Sequence, residues 1–300
     1  MSDVSFLRES PPAVAPEAGA ELPDGYVPYD RTKLSYAGTF SDPRRAAVIR
    51  AMEWLTGKPR LLSLIRRFER EGVETGPAFF AHALRVMGIR IETPTRQVAR
   101  IPQAGPCVVV ANHPHGLVDG MVLAELVGRR RTDFKILTRS LLTGVPEVAG
   151  HLISVPFAHE ADALGRNLEM RRETMAHLSA GGVVVLFPSG AVAASETWWG
   201  PAVEAAWNPF TAKIIRLSSA TVVPVHFEGA NSRAYQIANR VSATLRQGLL
   251  LHEVVHSLDR PQAPVVRAPI PPSEWRGRAG NPTEFMAWLR ARTLGEEAAG

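Results

Sequence analysis

Asn112, His113, His115 and Asp119 stand close together in one polar stretch, and two imidazoles beside a carboxylate can move protons. A histidine whose ring is fixed by a carboxylate is a general base, because the acid sets the tautomer and stabilises the imidazolium that forms. The stretch holds no serine or cysteine to activate. The hydroxyl would then come from the substrate, which points to direct transfer rather than a covalent enzyme intermediate. Two other readings stand beside this one. Asp119 can cap a helix and His113 can be a structural histidine, while His113-x-His115 with Asp119 invites a metal ion. Zinc hydrolases of the His-x-His-x-Asp-His type place the acid four residues after the first histidine and follow it with another histidine. Here Asp119 comes six residues after His113 and Gly120 follows, with no tight Cys/His cluster elsewhere. The expectation is no metal and no bound cofactor.

The flanking sequence says how these groups are held. Cys107–Ala111 is a short apolar, β-branched run, and Met121–Val127 reads as a helix closed by Gly128, giving strand, loop, helix. The same alternation continues. Strands are expected at 89–92, 134–137, 152–155, 183–187, 221–227 and 265–267, with a β-rich stretch at 249–256. Helices are expected at 77–87, 117–127, 164–178, 210–217, 231–245 and after Pro282. This predicts an α/β fold with a mostly parallel central sheet flanked by helices. Ligands of such sheets bind at the carboxyl ends of strands. Three strand ends carry unusual loops, Asn112–Asp119, Pro188–Gly190 and Glu228–Ser232, which can converge on one site. Amides of the Phe187-Pro188-Ser189-Gly190 turn can hold an oxyanion, though a plain β-to-α turn has the same look. Trp198 and Trp199 can line a channel, sit at a membrane interface or be core. Pro224 inside a strand is unusual for a central position. Arg233 or Arg216 can receive an anionic headgroup, or simply pair on the surface.

The chain has 300 residues, a net charge of +5 and one cysteine, Cys107, in an apolar run. The charge suggests an acidic partner. A lone cysteine excludes a disulfide framework and fits a reducing compartment; Cys107 itself reads as a small buried hydrophobe. Residues 1–38 are rich in Pro, Ala, Glu and Gly and read as a disordered arm without a signal peptide. No run approaches a membrane span. Residues 39–88 form a basic helical tract. Asp42-Pro43 starts one helix, with Ala46, Ala47, Ile49, Met52 and Leu55 as its apolar face and Gly57 as its stop. Pro59 opens a second, with Leu61, Leu64, Ile65 and Phe68 at helical spacing. Asp42 to Gly72 carries eight Arg/Lys against four Asp/Glu, a net of +4. Such a pair either lies on anionic lipid or packs on the core behind a solvated basic face. Residues 89–300 then form the α/β domain.

Taken together, Asn112-His113 with downstream Asp119, then Phe187-Pro188-Ser189-Gly190, then Val223-Pro224-Val225 resemble the glycerolipid and lysophospholipid acyltransferases (1-acylglycerol-3-phosphate acyltransferase-like). That family shows Asn before His-x4-Asp, then Phe-Pro-Glu-Gly, then Val-Pro-Val, in this order. Over residues 85–270 the chain is most similar to a bacterial hemolysin-like, ornithine-lipid-type branch, whose Asn-His-Pro-x-Gly-x-x-Asp-Gly matches Asn112 to Gly120 and whose Pro-Val-x-Phe-x-Gly-x-Asn-Ser-Arg matches Pro224 to Arg233. The resemblance implies an N-terminal helical pair on the membrane. It implies transfer of an acyl group from acyl-CoA or acyl carrier protein to a lysolipid hydroxyl, in phospholipid or ornithine-lipid-type biosynthesis. It makes His113 the base and Asp119 its partner, with Asn112 and His115 in support. Phe187, Pro188, Ser189, Gly190, Pro224, Asn231 and Arg233 would shape the acceptor and acyl site. The implied place is the inner face of the cell membrane, peripheral and cytoplasmic, with an anionic surface rather than nucleic acid as partner. Two departures stand out: five residues separate His113 from Asp119, not four, and Ser189 replaces the family's Glu with no Arg after Gly190. A phosphate-bearing acceptor is thereby put in question. A lipid or thioester hydrolase and a non-enzymatic lipid-binding protein are the rival readings.

Overall fold

The computed structural model describes residues 28–39, 42–138, 142, 145–156 and 162–296. In chain order the elements are α1 (Pro43–Thr56), α2 (Lys58–Glu71), α3 (Pro77–Val86), α4 (Thr95–Val98), β1 (Cys107–Ala111), α5 (Leu117–Gly128), β2 (Phe134–Thr138), β3 (Leu152–Ser154), α6 (Ala163–Ser179), β4 (Val183–Leu186), β5 (Ala194–Ser195), β6 (Ala202–Val203), α7 (Pro209–Ser218), β7 (Thr221–His226), α8 (Arg233–Val241), α9 (Ala243–Gly248), α10 (Leu250–His256), β8 (Val265–Val266), α11 (Pro272–Trp275) and α12 (Pro282–Leu294). The main sheet has the order β3-β2-β4-β1-β7-β8. Its first five strands are parallel, and only β8 runs antiparallel, against β7. The mostly parallel α/β architecture expected from the alternating pattern is the one observed.

β1 is buried at every position because it has strands on both edges and helices on both faces. Period-two alternation splits its side chains between two cores. Cys107, Val109 and Ala111 face a layer that includes α2, α3, α5 and α10. Val108 and Val110 face α7 and α12, through Ile214, Ile215, Phe285 and Leu289. The proline in β7 also finds an explanation. Pro224 Cα pairs with Val110 of β1, while its carbonyl accepts the Arg267 amide at 2.9 Å on the opposite edge. The N–H and C=O of a strand residue point the same way, so the missing donor falls on the side of two-residue β8.

Several expectations need correction. Residues 1–27 lie outside the described residues, but residues 28–38 are not a free arm. They form two 3-10 turns, bury Leu34 and Ala37, and are held by acids of the basic tract. Glu53 accepts from the Ser35 hydroxyl (2.6 Å) and the Tyr36 amide (2.7 Å), and Glu69 from the Tyr29 amide (3.2 Å). No core boundary falls at residue 88: Leu61, Phe79 and Leu84 share one cluster with the sheet. On α1 only Ala46 and Ile49 of the expected apolar face are buried, and Ala47 and Leu55 face outward. The stretch at 249–256 is helix α10, because Leu251, Val254 and Leu258 meet the core at helical spacing, which outweighs the β preference of its valines. The helix expected over 231–245 is two, divided at Ser242, whose hydroxyl caps α9. Residues 89–92 contribute only an isolated bridge, Ile91 to Gln262. Among the described residues no helix is long and apolar enough to cross a membrane.

Candidate active site

With β1 between β4 and β7 and all three parallel, their carboxyl ends lie side by side, and the three loops noted in the sequence meet there. Asn112 ties the first to the third: its Nδ2 donates to the Phe227 carbonyl (2.8 Å) and its Oδ1 accepts the Phe227 amide (2.7 Å). A side-chain amide thus extends the β1–β7 pairing by one rung. His113 meets the second loop, its ring stacking on Phe187 at 4.0 Å between centroids. His115 meets the third, where Gly229 has φ +96° and a Cβ there would come within 3.1 Å of the imidazole Nε2.

The longer spacing between His113 and Asp119 is absorbed by Gly116. It takes φ +77°, a left-handed turn that suits glycine, and so starts α5 with Asp119 in its first turn. The Asp119 carboxylate is fully buried. An unpaired charge there would cost several kcal/mol, and four donors offset it. Oδ2 accepts from His113 Nδ1 (3.1 Å), the His115 amide (2.8 Å) and the Gly116 amide (3.1 Å), and Oδ1 from His115 Nδ1 (3.0 Å). Burial pushes the Asp119 pKa up, but the two histidines outweigh it and hold it below the ordinary carboxylate value. For His115 burial pulls downward, and Asp119, with Glu253 beyond it, outweighs that to leave the imidazole above its usual value. The capping and catalytic readings of Asp119 therefore describe one arrangement. The acid caps its own helix and fixes both rings.

With Nδ1 on Asp119, Nε2 is the remaining nitrogen of His113, and the ring lines a cavity of about 400 Å³. Phe187, Pro188 and Gly190 line the same cavity, as do Ala191 and Val192, whose amides have no hydrogen-bond partner among the described residues. No serine or cysteine lines it among the described residues. Cys107 lies away in the sheet, and burial pushes its thiol up to about 12. A second cavity, about 160 Å³ and almost wholly apolar, lies between α2, α3 and α5 and shares Leu117 and Leu142 with the first.

Other expected residues line neither cavity. Ser189 turns its hydroxyl to the Ala191 carbonyl (2.9 Å). Asn231 is buried with Nδ2 unpartnered, and Pro224 is inside β7. Arg233 holds the Trp199 and Gly200 carbonyls (3.2 and 2.8 Å), and Arg216 is exposed on α7. Trp198 and Trp199 are exposed.

Two residues had no signal in the sequence. Glu204, beside β6, is buried. It accepts the His113 amide (3.1 Å) and the Trp207 indole N–H (3.0 Å). Burial raises its pKa against the opposing pull of those donors and Ser189. A carboxylate from another loop thus reaches the Ser189 turn, where the resembling family carries its glutamate. Arg246, on α9, lines the His113 cavity. No motif surrounds either residue, since only the packing of β6 and α9 brings them in.

Fold and site together define an α/β protein with a hydrogen-bonded histidine–carboxylate pair at the carboxyl edge of a parallel sheet, beside a largely lipophilic cavity. The chain belongs to the acyltransferase family, whose family model matches residues 52–292. It is 26% identical over 169 residues to a lyso-glycine lipid O-acyltransferase from Phocaeicola vulgatus, covering 55% of this chain and 57% of that one. The chain thus spans little more than half the length of that curated relative. A solved structure, the 1-acyl-sn-glycerophosphate (LPA) acyltransferase PlsC from Thermotoga maritima, is similar with a TM-score of 0.46 and 14% identity. That match covers 87% of this chain and 83% of that one.

Proposed function

We propose that the protein is a membrane-associated O-acyltransferase moving a fatty acyl group from an acyl thioester, acyl-CoA or acyl carrier protein, to a lysolipid hydroxyl. The observation that carries the reading is His113, oriented through Nδ1 by Asp119 while it lines a cavity in which no serine or cysteine is found among the described lining residues. His113 Nε2 takes the acceptor hydroxyl proton. The oxygen attacks the thioester carbonyl, and the amides of Ala191 and Val192, in the same cavity lining, are candidate donors for the oxyanion. The C–S bond then breaks, and the leaving thiolate recovers the proton from the imidazolium, giving an ester and a thiol. The acyl chain occupies the apolar cavity past Leu117 and Leu142, and the acceptor enters the larger one.

Membrane association rests on α1. Val48, Trp54 and Leu55 are exposed along one side of it, with Arg44, Arg45 and Arg50 exposed beside them. Glu53 and Glu69 are turned inward, which leaves the outer surface more basic than the composition of the tract. Taken with the family resemblance, this surface supports a peripheral position on the inner face of the cell membrane as part of the proposal.

The test is incubation with labelled acyl-CoA or acyl carrier protein and a panel of lysolipids, with products identified by mass. A new ester-linked acyl lipid is expected. Thioester consumption without a lipid product overturns the reading in favour of a hydrolase, and no consumption favours a binding protein. Co-sedimentation with vesicles containing anionic lipid checks the membrane surface: retention that Trp54→Glu leaves unchanged sinks that part.

A further inference from the structure

His113 is held at three points. Its Nδ1 is on Asp119 (3.1 Å), its carbonyl accepts the Ala193 amide (2.8 Å), and its own amide donates to Glu204 Oε2 (3.1 Å). Ala193 and Glu204 flank the two ends of the β5–β6 hairpin, so the hairpin clamps the main chain while Asp119 turns the ring. Glu204 is buried and is itself fixed. Its Oε1 accepts the Trp207 indole N–H (3.0 Å). Arg290 of α12, paired with Glu296 (3.1 Å), donates to its main-chain carbonyl (2.9 Å).

A main-chain carbonyl or a side-chain amide in that place would satisfy the His113 N–H without bringing a charge into the interior, where charges are costly. What the carboxylate adds is a negative charge near the imidazole. That charge acts on the ring through the proton that a general base gains. Burial raises the Glu204 pKa. Against this, both oxygens face N–H groups, which cannot accept a proton, the Ser189 hydroxyl adds to them, and a protonated His113 attracts the carboxylate. Asp119 alone is a shared partner, because His115 Nδ1 takes its other oxygen (3.0 Å). We infer that Glu204 is a positioning residue and the second acid of the base: it fixes His113 by the amide and places a negative charge near the imidazolium that forms when the acceptor hydroxyl gives up its proton. Asp119 sets the ring and its tautomer, Glu204 sets the main chain, and both stabilise the same positive charge. This inference rests on the acyl-transfer reading and deepens it.

The test is the pH profile of kcat/KM for acyl transfer in the wild type, Glu204→Gln and Glu204→Asp, with folding followed by urea unfolding. Glu204→Gln keeps an acceptor for the His113 amide and removes the charge. Its acid limb is expected to move to lower pH by about one unit, because an opposite charge nearby favours the protonated base. On the plateau kcat should fall roughly three- to tenfold with the weaker base, and KM should change little, since Glu204 does not line the cavity. Glu204→Asp keeps the charge and shortens the reach, so its acid limb should stay close to that of the wild type while kcat falls. A purely structural brace gives the reverse ranking, with Glu204→Gln near the wild type in rate and limb and Glu204→Asp impaired, and that result overturns the inference. So does a Glu204→Gln that loses rate with an unmoved limb. Both leave the acyltransferase reading intact. Should Glu204→Gln fail to fold, the wild type still decides. The side-chain carboxyl 13C resonance of Glu204, assigned by its loss in Glu204→Asp, should show a step at the midpoint of the acid limb, and a resonance without that step overturns the inference. Absence of any acyl transfer by the wild type removes both the inference and the reading beneath it.

Discussion

The two cavities on either side of Leu117 and Leu142 differ in almost every respect. The one between α2, α3 and α5 is small and lined mostly by aliphatic and aromatic side chains, such as Ile65, Phe68, Phe79, Ala83 and Met121, with Glu69 and Glu147 at its margin. The one at the strand ends is more than twice as large and holds His113, Arg246 and the turn at Phe187–Gly190. The first, with an almost wholly apolar surface, discriminates mainly by length and shape. The second can discriminate by charge and can act on a bond. The fold reaches this division because the α3–α5 face sees side chains at helical spacing, whereas the strand ends present backbone and loop groups that have lost their ladder partners.

If all chemistry resides in the polar cavity, His113→Ala should lower kcat/KM for acyl transfer by about 10²–10⁴, the range for loss of a general base, read as ester product per time. Asp119→Asn comes next. It leaves both imidazoles without an anionic partner, and a rate loss of roughly tenfold or more is expected, with a stability loss of about 1–3 kcal/mol in urea unfolding. Wild-type rates in either variant would break the division of roles. In the apolar cavity Ala83→Phe should spare short-chain donors and penalise long ones. Each methylene that can no longer be buried costs ~0.8 kcal/mol, or about fourfold in kcat/KM, and an unchanged chain-length profile would show that the acyl chain lies elsewhere. The smallest effect concerns pH. His115 is held above its ordinary pKa, so its pairing with Asp119 adds stability that is present below the unfolded histidine pKa and is lost as pH rises through the folded value. His115→Gln should therefore destabilise the protein more at pH 6 than at pH 9 in urea titrations, and a larger loss at pH 9 contradicts the assigned pairing.

Much of this was legible in the residues. The β-branched run at Cys107–Ala111, the break at Asn112 and the helix to Gly128 declared a strand, loop and helix, and they were found with little change. The N-terminal tract was legible only in part. α1 and α2 carry similar apolar spacing, yet Leu61 of α2 is buried while Leu55 of α1 is exposed. Periodicity tells which residues share a face, not what the face meets. The buried acids Glu53 and Glu69 went unread for the same reason, since their partners are backbone and side-chain groups of residues 29–36.

The sequence by itself determined the α/β alternation, the three strand-end loops and the pairing of a histidine with Asp119, because local pattern and short spacing carry that information. Tertiary structure alone decided that one buried carboxylate holds both His113 and His115, that Glu204 braces the His113 amide, and that Arg246 rather than Arg233 faces the cavity. Those choices depend on which distant segments the sheet order and the packing of α9 bring to one edge. No window of sequence encodes a contact between residues that far apart.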